Sequence, residues 1–214
     1  MTKKKNISAK EALTRLREGN QRFTSDLRSL ESLLSHTRRS ELADGQTPFA
    51  VILGCSDSRV PAETVFDQGL GDLFVIRVAG NIVAPSQVGS IEFAAEHFGT
   101  RLVIVLGHSH CGAVNATIDQ LENPGPSASV GLQSIVDRVR PSVETLISAG
   151  LSGCELSDAA VKANVRSSVD KLRHGSALLE NLIDEDGLVI IGAEYDLSTG
   201  KVEFFDGLPA GLDN

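Results

Sequence analysis

The sequence is short of positive charge. Its 20 Lys and Arg stand against 28 Asp and Glu, a formal net charge of -8. That balance argues against broad electrostatic binding to nucleic acid or to an anionic membrane. The basic start Lys3-Lys4-Lys5 is the exception, and three lysines at a fraying terminus read as solubilising. Long apolar runs are missing too. None approaches the roughly 20 residues that a spanning helix needs, and no apolar stretch follows the basic start, so neither a membrane span nor a signal peptide is expected. Cysteine is scarce, and three thiols, an odd count in a chain of 214 residues, do not suggest a disulfide framework. A cytoplasmic, reducing location is the expectation. There, paired Cys and His are better explained by metal binding or catalysis. Internal repeats and low-complexity segments are also absent.

What is present is ordinary for a globular domain, 41% hydrophobic and 22% charged residues. Ser8, with Glu11 three residues later, makes a capping box for a helix over residues 8–23. Ile7, Leu13, Leu16 and Phe23 form its apolar stripe, weakened in the middle by Gly19. A second helix is expected over 29–43. Four short apolar runs follow: Phe49–Leu53, Leu73–Val78, Leu102–Leu106 and Leu188–Ile191. Each suits a buried parallel strand. Helix-like stretches at about 61–68, 86–98, 112–122, 130–149 and 157–184 separate them, with a loop at 123–127. This alternation predicts an α/β fold: a mostly parallel sheet of four strands covered by helices on both faces. Lys201–Phe205, after the turn Ser198-Thr199-Gly200, is expected to return as an antiparallel edge strand. We expect one domain, with 1–45 as an N-terminal helical arm and 46–214 as the α/β body.

Two of the expected strands run straight into polar clusters. The first is followed by Gly54-Cys55-Ser56-Asp57-Ser58-Arg59, the third by Gly107-His108-Ser109-His110-Cys111-Gly112. Open parallel sheets bind ligands outside the carboxyl ends of strands, where the strand order reverses. Cys55, His108 and Cys111 are therefore candidate ligands of one zinc, since catalytic sites supply three protein ligands and keep a position open. A helix starting near Cys111 would favour its thiolate. Taken singly, a buried Cys is more often a small hydrophobe and a His after a strand a packed core residue. A closed structural zinc would need a fourth ligand, for which His110 is the nearest residue. Cys154, in an expected helix-to-helix loop over 150–155, reads as incidental. Asp57 and Arg59 are either an exposed salt bridge of little worth or a carboxylate beside the metal kept ionised by a fixed guanidinium. Two thiolates cancel the charge of zinc and weaken it as a Lewis acid. A nearby aspartate would weaken it further unless Arg59 neutralised it. A phosphatase with Cys55 as nucleophile is a poor reading, because three residues between Cys55 and Arg59 make too short a loop to cradle phosphate.

Cys55-Ser56-Asp57-Ser58-Arg59-Val60, followed about fifty residues on by Gly107-His108-Ser109-His110-Cys111-Gly112-Ala113, closely resembles the β-class carbonic anhydrases. Asp67–Val75, Ser90–Ala94, Asn164-Val165 and Gly192–Tyr195 are similar to the family's other segments, so the likeness covers about residues 10–206. It implies that Cys55, His108 and Cys111 hold one Zn2+ per chain. It implies that Asp57 and Arg59 form a dyad gating the fourth position, which holds water or, in a closed state, Asp57. Gln46, Phe74 and Phe93 fall where the family lines a small substrate pocket, partly from a neighbouring subunit, and Ala79 joins them as an apolar candidate. The implied reaction is reversible hydration of carbon dioxide to bicarbonate and a proton by zinc-bound hydroxide, in a homodimer or a dimer of dimers. His110 is a candidate proton shuttle. A zinc hydrolase of carbonyl sulfide or carbon disulfide, and a non-catalytic zinc-stabilised binding module, are the alternatives. One departure stands out. Some bacterial members carry an inhibitory bicarbonate site using a Trp three residues before the first Cys. Here that residue is Ile52, and the chain has no Trp, although Tyr195 matches the tyrosine of that site.

Overall fold

The computed structural model describes residues 6–27, 36–125 and 129–209. Its centre is a five-stranded sheet: β1 (Ala50–Gly54), β2 (Leu73–Arg77), β3 (Leu102–His108), β4 (Val189–Tyr195) and β5 (Val202–Asp206). The spatial order is β2-β1-β3-β4-β5, with the first four parallel and β5 antiparallel to β4, as the alternation predicts. Every residue of β1 and β3 is buried, which explains their unbroken apolar sequence.

Helices cover both faces. α1 (Ala9–Thr24) begins at Ser8, whose hydroxyl accepts from the Glu11 N–H as the capping box requires. Its Leu13 and Leu16 join α3 (Ala62–Val65) against Ile52, Ile104, Leu106 and Ile191. Gly19 is no defect in this helix. A Cβ there would meet the Phe66 carbonyl at 1.8 Å, so the glycine sets how closely α1 approaches that backbone. The other face carries α4 (Pro85–His97), α7 (Gly153–His174) and α8 (Ala177–Asp186), packed on Val51, Leu53, Val103, Val105 and Ile190. α5 (Gly112–Glu122) and α6 (Val130–Ser148) form, with α7, a third cluster that includes Cys55 and Cys111.

The structure corrects several boundaries. The helix expected over 157–184 is two, α7 and α8. They part at Gly175-Ser176, where a Cβ on Gly175 would strike the Lys171 carbonyl at 2.4 Å and Ser176 caps α8 by accepting from Leu179 N–H. Cys154 lies in the first turn of α7 rather than in a loop, and is exposed. The stretch 61–68 holds only the short α3, ended by Asp67 in the left-handed region. β3 continues to His108, and β4 passes through Gly192 to Tyr195. Both glycines let α7 lie close: Cβ atoms at Gly107 and Gly192 would fall 2.5 and 2.9 Å from Val165. Of the helix expected over 29–43, α2 (His36–Glu41) is described. Residues 29–35 lie outside the described residues, as do 126 and 127 of the loop.

Candidate metal centre

The strand order places the site. β1 leads through α3 to β2 on one side of it, and β2 leads back through α4 to β3 on the other. The carboxyl ends of β1 and β3 are neighbours, with Gly54 beside Leu106, and the crevice beyond them is where the order reverses. Cys55 leaves β1 there. His108 is the last residue of β3, and Cys111 is the N-cap of α5. His110 makes the intervening turn with φ +54°, which leaves His108 and Cys111 facing one point. The ligand atoms of Cys55, His108 and Cys111 all lie within 4.8 Å of one another, and all three residues are buried. Loops about fifty residues apart in sequence thus converge on a three-ligand cluster.

The donor atoms are prepared. His108 Nδ1 lies 2.9 Å from the Ser109 carbonyl, which can only accept, so Nδ1 carries the proton and Nε2 presents its lone pair. Nε2 is buried and has no hydrogen-bond partner. A buried imidazole nitrogen in that condition is costly unless something fills it, and a cation between it and two sulfurs would. Two soft sulfurs and one imidazole suit zinc among the common metals. The loop beneath is fixed in turn: Ser109 N–H donates to the Tyr195 carbonyl, and Ser109 Oγ accepts from Leu197 N–H. As free thiols the two cysteines share one hydrogen bond. A hydrogen bond from Cys111, together with the Gly80 and Asp57 N–H groups and the neighbouring His108 ring, outweighs burial and lowers the Cys55 pKa; the same Cys111 bond and burial raise that of Cys111.

Asp57 and Arg59 form the expected pair, with full fork geometry. Arg59 Nε donates to Asp57 Oδ1 at 2.9 Å and Nη2 to Oδ2 at 2.7 Å, while the Arg59 N–H adds a third bond to Oδ1 at 3.0 Å. These bonds hold the Asp57 carboxyl well below the usual carboxylate range, the guanidinium fork being the chief cause. Asp57 Oδ2 stands 3.9 Å from His108 Nε2, so the carboxylate borders the cluster without displacing a ligand. His110 is exposed, and its carbonyl accepts from Arg59 Nη2 at 3.4 Å.

Amino-acid matching agrees with this geometry. A model of the carbonic anhydrase family matches residues 50–202. The chain belongs to that family, in its β class. Carbonic anhydrase 2 of Mycobacterium tuberculosis is 40% identical over 191 residues, covering 89% of this chain and 90% of its own. A carbonic anhydrase of Mycolicibacterium smegmatis is 39% identical over 188 residues, covering 88% and 89%. Among solved structures, the β-carbonic anhydrase CafA of Aspergillus fumigatus superposes with a TM-score of 0.72 at 26% identity, covering 93% and 91%. A tetrameric β-carbonic anhydrase of Sordaria macrospora gives 0.69 at 28% identity, covering 78% and 85%.

The remaining candidates of this family member are spread more widely. Ala79 begins a short 3-10 turn, Ala79–Asn81, whose Gly80 N–H donates to Cys55 Sγ at 3.3 Å. Phe74 lies on β2 opposite Val51, four positions before Cys55. It clusters with Phe93 and Phe98 at ring-centroid distances of 6.3 and 6.0 Å. Phe93 is 50% exposed and stacks on His97. Gln46 is exposed ahead of β1. Ile52 and Tyr195 are buried in the sheet. Arg77 was not singled out by sequence. Its Nε donates to the Cys55 carbonyl at 3.0 Å and its Nη2 to the Asp57 carbonyl at 2.6 Å, so it pins the loop that carries both residues. The available signal was its place at the end of β2, level with Gly54.

Proposed function

We propose that this chain is a zinc-dependent carbonic anhydrase that interconverts carbon dioxide with bicarbonate and a proton, one zinc being held per chain by Cys55, His108 and Cys111. The observation that carries this reading is the convergence of three buried donors beside a carboxylate locked in an arginine fork. When bound, zinc supplies the Lewis acidity that makes water a nucleophile near neutral pH. The chain's own residues do the rest. His108, with its tautomer fixed by Ser109, offers Nε2. Asp57, ionised and oriented by Arg59, accepts a hydrogen bond from the attacking water and so aims its lone pair. Arg77 keeps Cys55 and Asp57 at a fixed separation. A non-catalytic zinc module has no use for such a fork.

The pocket reading extends this. Ala79 supplies an apolar wall next to Cys55. Gln46, Phe74 and Phe93 contribute to a pocket completed by a second copy of the chain, in a homodimer or a dimer of dimers. The half-exposed Phe93 supports that reading, since a large aromatic ring left open to water suits a subunit contact. His110, exposed beside the fork, is placed to pass the proton outward. Bicarbonate control through a Trp-containing site is absent, because Ile52 fills that position. We place the enzyme in the cytoplasm, where cysteines stay reduced and available to a metal.

The test is metal analysis together with rapid-mixing hydration kinetics. About one zinc per chain and fast hydration of carbon dioxide are expected. Full activity in zinc-free protein would end the reading. Faster turnover of carbonyl sulfide than of carbon dioxide would transfer it to the hydrolase alternative.

A further inference from the structure

α7 carries two polar residues, Asn164 and Ser168, on a side that is otherwise buried alanine, valine and leucine. Both are 2% exposed and lie one helical turn apart. Their partners are consecutive backbone carbonyls. Asn164 Nδ2 donates to the Gly80 carbonyl at 2.7 Å, and Ser168 Oγ to the Asn81 carbonyl at 3.0 Å. The peptide units they grip belong to the Ala79–Asn81 turn, where Gly80 and Asn81 sit at φ +69° and +41°. Two successive left-handed residues, one of them not glycine, persist only where surroundings over-determine them. The product of this conformation is the Gly80 N–H aimed at Cys55 Sγ.

We propose that Asn164 and Ser168 are positioning residues of the metal site. As a two-point clamp they hold the turn so that Gly80 N–H hydrogen-bonds the Cys55 thiolate. The physical consequence is electronic as well as steric. A donor on a metal-bound sulfur draws off electron density and reduces its donation, a recognised means of tuning thiolate–metal sites. Two thiolates make this centre a weak Lewis acid, and the clamp partly restores its strength. The close approach of α7 permitted by Gly107 and Gly192 brings Asn164 within reach.

This inference rests on Cys55 being a metal ligand. The test substitutes cobalt(II) into the purified full-length enzyme and reads the sulfur-to-cobalt charge-transfer band, alongside the rate at which the zinc enzyme gives up its metal to a chromophoric chelator. Asn164→Ala is expected to move the band to longer wavelength, because a sulfur without its donor is a better electron source, and to speed zinc release by about tenfold, because a Cys55 no longer held in place loses more than its stronger donation restores. Ser168→Ala should shift both in the same direction by less. Leu172→Ala, a buried packing change on the same helix, should lower stability with the band unmoved. An unmoved band in Asn164→Ala overturns the clamp. If that variant does not fold, Ser168→Ala decides: wild-type band and release rate overturn it. Failure of the wild-type protein to bind one metal with a thiolate band would instead defeat the reading of the site itself.

Discussion

Gly107 stands immediately before His108, and the structure gives it a job that an alanine scan can measure. A Cβ added there would lie 2.5 Å from Val165 Cγ2 and 3.3 Å from Val161 Cγ1. Carbon atoms prefer about 3.5–4.0 Å, so the first contact must open by more than about 1 Å. Val165 cannot easily swing away, since a valine in a helix is about 90% confined to one rotamer. The strand or the helix must therefore shift, and overpacking of this kind costs about 1–3 kcal/mol. Val165→Ala alone removes two buried methyl groups and costs a similar amount through lost burial and cavity. In the double variant the new methyl occupies the space the valine left. Its destabilisation should fall short of the sum of the singles by at least about 1 kcal/mol, whereas independent sites add to within about 0.5 kcal/mol. The assay is urea unfolding at fixed protein and zinc concentration, because both bind the native state and shift apparent stability. His108 should follow the strand: Gly107→Ala is expected to bind zinc more weakly, with recovery in the double variant. Additive energies would refute the packing argument, and additive energies with normal zinc content would also detach Gly107 from the metal site.

Other outcomes follow from the same geometry. Asp57→Asn keeps the shape of the carboxylate but not its charge, and should retain zinc while losing about a hundredfold or more in carbon dioxide hydration; wild-type turnover would remove the pair from the mechanism. Cys55→Ser should lower bound zinc well below one per chain by metal analysis, with a matching fall in thermal stability; normal zinc content would discard Cys55 as a ligand. The Asp196 carboxylate accepts from Ser198 Oγ and from the Ser198 and Thr199 N–H groups, which hold its pKa down to about 2. A lowered folded-state pKa contributes stability above the unfolded value near 4 and loses it as pH falls through the folded value. Acid unfolding followed from pH 5 to pH 2 should therefore show a shallower loss for Asp196→Ala than for the wild type, and parallel curves would count against the turn.

The candidate metal ligands were legible in sequence because their signal is local. Cys55 follows an apolar run, His108 and Cys111 follow another, and open parallel sheets bind ligands at such ends. The Asp57–Arg59 pair was legible for the same reason, two residues apart on one loop. What sequence did not reveal are the supports that act at a distance. Arg77 reaches the Cys55 and Asp57 carbonyls from β2, and Asn164 reaches Gly80 from a helix 84 residues further on. Both contacts end on backbone carbonyls, which carry no side-chain identity for a motif to record. Boundaries failed where glycine had two readings. The apolar run Leu188–Ile191 stops short of Gly192, yet β4 continues through that glycine and admits Val165, while Gly175, inside a helix-like stretch, does break the helix.

The supports also account for the arrangement of charge. Two thiolates and Asp57 would place three negative groups around a divalent ion and leave it a weak acid. Three features of the fold work against that. Arg59 neutralises Asp57 through both oxygens. Arg77 brings a second guanidinium to the carbonyls of Cys55 and Asp57, and Gly80 N–H drains Cys55 itself. Each of these groups approaches from a different element: the β1 loop, β2, and the turn held by α7. Cys55, His108 and Cys111 can hold a metal. Whether it activates water near neutral pH depends on this surrounding ring of donors, which only the folded chain assembles.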